Sequence, residues 1–297
     1  MNQPTRKTLI IIFLIASCLV FPFKAWSASL YISGPEEKIY QGDTFIVNLI
    51  ISSPTQAINV SEGTISFDAD LLMVKTVSTG GSIFSIWPSP PTFSNKNGLL
   101  SFSGGTSSSF IGQNGEVLKI VFLAKEPGPA TIKPESYSQV LLADGNGTKA
   151  ELSVTPLVLN ISAKPSERPA ADSWQNFTAE DKTPPANFPI NLSQDPSVFN
   201  GQYFISFFTT DNESGIDYFE VKEGQNDFVR AESPYVLQDQ SLGGEVLVRV
   251  FDSAGNQTTE RLVLPQKKML SNGWLMAIFS SLVILFLYII SNVVKRK

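Results

Sequence analysis

Apolar side chains recur at every second residue through most of this chain, in short runs cut by Gly, Pro, Asn and Asp. That period belongs to a strand, whose successive side chains leave opposite faces; a helix needs repeats at three and four. The runs fall at 30–32, 44–52, 64–68, 71–76, 99–103, 117–124 and 152–161. In 64–68, Ile65 and Phe67 share one face while Thr64 and Ser66 share the other. Leu118, Ile120 and Phe122 line one face of 117–124. No amphipathic helical stretch interrupts the series, so residues 28–162 are expected to form an all-β sandwich. A second series follows in residues 184–265, at 203–210, 217–222, 235–237, 245–252 and 257–264. Its turns are Ser214-Gly215, Gly243-Gly244 and Ala254-Gly255-Asn256. Between the two series, residues 163–183 carry Pro165 and Pro169, scattered charge and no period, as a semi-stiff linker does. Its Trp174 and Phe177 either dock on a neighbouring module or stay exposed.

Both ends read as membrane signals. Residues 1–27 are expected to be a cleaved signal peptide: Arg6 and Lys7 precede an apolar run over 8–21, Pro22 breaks it, and Ala25-Trp26-Ser27 offers small residues for cleavage. Ile15-Ala16-Ser17-Cys18 resembles a bacterial lipobox. The residues after it, Leu19-Val20-Phe21, stay apolar where a lipoprotein turns polar, so Cys18 reads as part of the apolar run. A transmembrane helix is expected over 270–294. Its uncharged part, 274–294, spans roughly 32 Å at 1.5 Å per residue, enough for a hydrocarbon core. Its serines, Ser280 and Ser281, are tolerable because a helix lets a hydroxyl bond its own carbonyls. Lys295-Arg296-Lys297 form the tail, expected to be cytoplasmic, with residues 28–268 outside a single-pass cell membrane anchor.

The residues also exclude chemistry. The 297 residues include no His and one Cys, which removes His-based relays, imidazole zinc sites and intrachain disulfides. No nucleophile is paired with a base, so no enzyme activity is expected. Residues 28–294 hold 16 basic and 27 acidic side chains, a net of −11. Nucleic acid is therefore not an expected partner, since its phosphates need Lys and Arg.

A few local groupings carry possible chemistry. Asp68 and Asp70 are close carboxylates, but they stand at a strand-to-turn step, where Asp caps backbone amides. Asp144-Gly145-Asn146-Gly147-Thr148 spaces its oxygens as a calcium loop does, yet lacks the distal Glu, which favours a β-turn. Asp211, Glu213 and Asp217 make an oxygen-rich loop in a stretch with 12 acidic and 4 basic residues over 184–265. The expectation there is a solvated loop that holds calcium weakly at most; no other cofactor is implied. In Trp87-Pro88-Ser89-Pro90-Pro91-Thr92-Phe93, the rings of Trp87 and Phe93 either stack on a carbohydrate or plug the end of the sandwich.

Several motifs in order resemble a bacterial cohesin domain over residues 29–155. They are Gly42-Asp43-Thr44-Phe45-Ile46-Val47, Ile65-Ser66-Phe67-Asp68-Ala69-Asp70-Leu71-Leu72, Gly115-Glu116-Val117-Leu118-Lys119-Ile120-Val121-Phe122, and Asp144-Gly145-Asn146-Gly147-Thr148. The resemblance implies a nine-stranded jelly-roll sandwich that binds a dockerin-type protein module, in a polysaccharide-degrading context, through one sheet face. On that face it places Glu62, Thr64 and Ser66, and strand alternation adds Leu99, Ser101, Ser103, Lys119 and Val121. Residues 181–256 resemble bacterial immunoglobulin-like repeats, which act as spacers, and the expected domain over 184–265 is a smaller β-sandwich of that type. The motifs there are Asp181-Lys182-Thr183-Pro184-Pro185, Ser214-Gly215-Ile216, Ser233-Pro234-Tyr235 and Asp252-Ser253-Ala254-Gly255-Asn256. The expected function is a non-catalytic surface scaffold that tethers a dockerin-bearing protein or a polysaccharide. A carbohydrate-binding adhesin and a purely structural envelope protein are the alternatives.

Overall fold

The computed structural model describes residues 28–265, 278 and 280–284. The expected signal peptide lies outside these residues, as does most of the expected membrane span. Among the described residues no helix is long and apolar enough to cross a membrane. Residues 278 and 280–284 are helical, and the Ser281 hydroxyl donates to the Ile278 carbonyl at 2.7 Å. Contacts divide the chain into two compact units. Among the described residues, the first holds 28–188, 208–219 and 249–259; the second holds 189–207, 220–248 and the described residues from 260 on.

The first unit carries nine strands: β1 (Ala28–Ser33), β2 (Thr44–Phe67), β3 (Leu72–Ser78), β4 (Ile86–Ser94), β5 (Leu99–Ala124), β6 (Gly128–Pro134), β7 (Gln139–Leu142), β8 (Leu152–Thr155) and β9 (Leu157–Ile161). Hydrogen bonding joins all nine. Two long strands, β2 and β5, run antiparallel and turn this one ladder into two layers. Their register slips between Leu49 and Ile50, and again three times from Ile51 to Val60. Such irregularities bend and twist a strand pair. Before the bend, β2 lies between β1 and the end of β5, which pairs β3. After it, β2 pairs β6, β7 and the start of β5, which pairs β4. Val47, Leu49, Ile51 and Ile120 from the first layer and Ile65, Leu100, Ile132 and Val140 from the second are all fully buried in one core. The Phe122 ring reaches across to Phe67, with centroids 5.3 Å apart. Each such side chain contributes about 1.5–3 kcal/mol by leaving water.

Strand β4 is the Pro-rich segment. Pro88, Pro90 and Pro91 have no N–H to give a ladder, so the segment sits at a sheet edge and its pairing with β5 breaks register twice. The turn from β4 to β5 needs Gly98, whose φ is +63° and whose Cβ would strike the Phe67 carbonyl.

The expected linker is partly ordered structure. Residues Ser173–Glu180 form a helix, α1, capped by Asp172, whose carboxylate accepts the Gln175 amide at 2.9 Å. Trp174 and Phe177 stack at 5.5 Å, and the Lys119 ammonium lies 5.5 Å from the Phe177 ring. The segment preceding them is also tied down: Thr44 N–H donates to Ala171 O, and Ala171 N–H donates to the Asp43 carboxylate. These rings therefore dock on the sandwich. Eight residues are too few to show a helical period, and helices this short depend on tertiary contact.

Seven more strands follow: β10 (Ile190–Gln194), β11 (Tyr203–Phe207), β12 (Ile216–Glu223), β13 (Val229–Ala231), β14 (Tyr235–Val236), β15 (Glu245–Asp252) and β16 (Gln257–Val263). Strands β10, β11 and β14 make an antiparallel three-stranded sheet. The other four make a sheet in the order β13-β12-β15-β16. Strand β15 alternates strictly between half-buried and buried positions, as its sequence requires. In the second unit Ile205, Val221, Leu237, Val246 and Val248 are buried.

Candidate functional site

The second layer of the sandwich presents a polar sheet face. Ladder pairing sets Ser94, Leu99, Ser66 and Lys133 in one row across β4, β5, β2 and β6. Thr92, Ser101 and Thr64 make the next row; Ser89, Ser103, Glu62 and Gln139 make the third. The intervening Ile65, Phe67, Leu100 and Phe102 are buried at 0–6% exposure, so the rows point away from the core. Glu62, Leu99 and Ser101 are exposed, and Thr64, Ser66 and Ser103 are half-buried. The Ser66 hydroxyl donates to Glu135 at 2.6 Å, and Lys133 pairs with Glu135 at 3.6 Å. Gly63 lies against the Ser138 side chain, which a Cβ would strike. Glu62 forms no ion pair among the described residues. The face is thus mainly small side chains on a hydrogen-bonded frame, with the exposed Leu99, with Lys133 and Gln139 towards one side, and with one carboxylate, Glu62, outside any ion pair.

Lys119 and Val121 do not join it. They stand beyond the bend, in the first layer, where Lys119 pairs in register with Asn48 and Ser78, and Val121 with Ile46 and Thr76. They are buried at 8% and 0% exposure. The Lys119 ammonium donates to the Gly80 carbonyl and pairs with Glu116. Alternation counted from Ser103 to Lys119 runs through the bend of β5, and a bent strand does not keep one face.

Trp87 is half-buried, edge-on to Phe84 at 6.4 Å, and fills the space over Gly104, where a Cβ would meet its ring at 2.8 Å. It plugs the sandwich, while Phe93 remains 41% exposed at the sheet edge. Asp68 is a turn residue: its carboxylate accepts the Thr131 amide at 2.7 Å, and its carbonyl accepts those of Leu71 and Leu72. Asp144 likewise accepts the Asn146 amide at 2.9 Å in an exposed turn; hydrogen bonds from the Thr148 side chain and that amide hold its carboxyl below the usual range.

The acidic group differs from the expected trio. Asp217 lies exposed on β12, and Glu213 is half-buried with one oxygen on the Thr183 hydroxyl. Asp211 instead meets Asp181 and Asp252, with ligand oxygens all within 4.8 Å of one another. The three are 5%, 5% and 2% exposed. Asp181 accepts the amides of Thr183 and Ser214; Asp252 accepts those of Ala254 and Asn256; Asp211 accepts those of Glu213 and Gly215. Burial pushes the Asp211 carboxyl up, with the charges of Asp181 and Asp252 adding to it against those amides. Asp181 and Asp252 open two of the immunoglobulin-like motifs, so the signal was present in the sequence. Their separation of some 70 residues hid that they meet Asp211.

Residues 30–160 match the Cohesin domain family. No curated protein matches the chain. Among solved structures, the cohesin module of a family 33 glycoside hydrolase from Clostridium perfringens aligns at 11% identity and TM-score 0.39, covering 47% of this chain and 100% of that one. A non-cellulosomal cohesin from Archaeoglobus fulgidus aligns at 11% identity and TM-score 0.38, over 48% and 94% of the two chains. A type I cohesin–dockerin complex from Clostridium thermocellum aligns at 16% identity and TM-score 0.38, over 47% and 96%.

Proposed function

We propose that the sandwich of residues 28–162 docks a dockerin-type protein module on its polar sheet face, and that the chain is a non-catalytic surface scaffold. The family match over residues 30–160 supports the partner class. The observation that carries the site is the placing of Glu62, Thr64, Ser66, Leu99 and Ser101 side by side on one face. Side chains on a paired ladder lose little entropy on contact, so the face suits rigid docking. Glu62 is the charge that a basic residue of the partner meets. Residues 184–265 serve as a spacer of immunoglobulin-like type. The apolar ends, 1–27 and 270–294, export the chain and anchor it with residues 28–268 outside. Protease applied to intact cells is expected to remove both β regions; full protection of them would contradict this topology.

Glu62→Lys tests the face. It replaces attraction by repulsion at an exposed position and is expected to weaken dockerin binding by about 1–3 kcal/mol, with an unchanged melting temperature. Trp87→Ala, which removes a plug packed on the core side of the sheet rather than on the polar face, is expected to leave dockerin affinity intact while lowering the melting temperature. Titration calorimetry against dockerin modules and a polysaccharide panel reads both. Normal dockerin binding by Glu62→Lys would remove Glu62 from the contact, and no dockerin binding by the unsubstituted chain, with glycan binding that is lost in Trp87→Ala, would replace the dockerin reading with a carbohydrate one.

A further inference from the structure

We propose that Asp181, Asp211 and Asp252 form a calcium site that ties three distant chain segments together. All three lie in the first compact unit and outside the residues that match the Cohesin domain family, so the site is independent of the docking face. Their oxygens approach within 4.8 Å of one another. Two oxygens on opposite sides of one calcium ion are roughly 4.6–5.2 Å apart at Ca–O distances of 2.3–2.6 Å, so one ion reaches all three.

Charge and satisfaction both demand a cation there. Among the described residues no Lys or Arg pairs with any of the three carboxylates. Burying ionised carboxylates without a counter-charge is costly, and hydrogen bonds from amides offset only part of it. The amides are also unevenly spread. Asp211 Oδ2 takes both the Glu213 and Gly215 N–H groups, while Asp211 Oδ1 is fully buried with no hydrogen-bond partner. The Ser214 hydroxyl and Glu213 Oε2 are buried and unpartnered in the same loop. An unmet carboxylate oxygen at 5% residue exposure, held beside two other carboxylates, is what a hard oxygen-loving cation completes. Calcium fits better than magnesium: magnesium keeps its waters and demands octahedral geometry, whereas calcium accepts an irregular, largely dehydrated set of six to eight oxygens.

The consequence is mechanical. The Ser214 carbonyl accepts the Ser78 hydroxyl at 2.7 Å, and the Asp211 carbonyl accepts the Gly81 amide at 3.3 Å. An ion on Asp211 therefore fixes the loop that holds the end of β3, and joins it to the segments bearing Asp181 and Asp252.

The test uses the full-length chain, stripped of metal with chelator and then titrated with calcium alone, magnesium alone, and neither. Calorimetry should find a saturable calcium site, and the melting temperature should rise with calcium concentration as mass action requires. Magnesium at equal concentration should give a clearly smaller rise. Asp211→Asn should weaken calcium binding on the order of tenfold or more, while Asp217→Asn leaves it unchanged. In chelator, Asp211→Asn should melt at or above the unsubstituted chain, because it removes one of three mutually repelling carboxylates. A structural residue without a metal would give the opposite, a lower melting temperature with no calcium dependence. Absence of calcium binding by the unsubstituted chain, or an equal calcium response in Asp211→Asn, would overturn the proposal and leave a shared proton as the way the cluster is neutralised.

Discussion

Phe122→Ala is expected to destabilise the nine-stranded sandwich by about 3–5 kcal/mol, the range for deleting a fully buried aromatic ring. Phe122 is 0% exposed. Its ring lies 6.0 Å from Phe45 within its own layer and 5.3 Å, edge to face, from Phe67 in the other. The substitution removes apolar surface and two ring contacts together. It leaves a void between the two layers that β2 and β5 join, where collapse is limited. Urea unfolding of the sandwich transition should show a lower midpoint with an unchanged slope. A loss under about 1 kcal/mol would mean that this ring does not hold the layers together.

The second large effect is expected at Asp43, which precedes β2. Its carboxylate is 5% exposed and accepts from Arg168 at 2.6 Å, from the Ala171 amide and from the Tyr40 amide. Burial alone would raise its pKa, but the Arg168 guanidinium and the two amides together hold it below the ordinary 3.8. Asp43→Asn keeps the shape, removes the charge and turns an NH2 group towards donors. The expected cost is about 2–4 kcal/mol, discounted from a fully buried pair because the Arg168 side chain is 30% exposed. The sign with pH follows from a lowered folded-state pKa. The stability from Asp43 is fully present above the unfolded value and is lost as pH falls through the folded one. The gap in melting temperature between the unsubstituted chain and Asp43→Asn should therefore be constant at neutral pH and narrow below pH about 3.8. A gap that stays constant down to strong acid would contradict the ion pair.

Where side chains alternate cleanly, the strands could be read from the sequence. Strand β15 spans Glu245–Asp252, the range its alternation predicts, and the expected 44–52 and 64–68 runs lie in β2, except that Asp68 falls in the turn after it. What alternation could not show is that these two runs, and likewise 99–103 and 117–124, are single strands. The joining residues, such as Gly104-Gly105-Thr106-Ser107-Ser108-Ser109, are small and polar and carry no apolar period. Within them Gly104 and Gly105 pair with Ser61 and Val60 of β2, a partner that no apolar period announces. The same blind spot misplaced Lys119 and Val121, since the bend that moves them to the other layer is made of register slips, which no residue type announces. Strand β4 was masked by its prolines, which mark an edge as readily as a loop. The rows of Glu62, Thr64, Ser66, Leu99, Ser101 and Ser103 were legible because each triplet lies on one side of the bend. The carboxylate cluster was not, because three Asp residues far apart in sequence come together only through tertiary structure.

The docking face is tested most directly at its centre, at Ser101, which is exposed and flanked in register by Thr92 and Thr64. Ser101→Arg raises a long cation from an otherwise low surface without touching the core. Binding isotherms of the full-length chain and of this variant should be measured against one panel of dockerin modules. The expected result is saturable binding of at least one dockerin by the unsubstituted chain, and a loss of about a hundredfold or more in the variant at an unchanged melting temperature. Equal affinity in the two chains, or no dockerin bound by either, would contradict docking on this face.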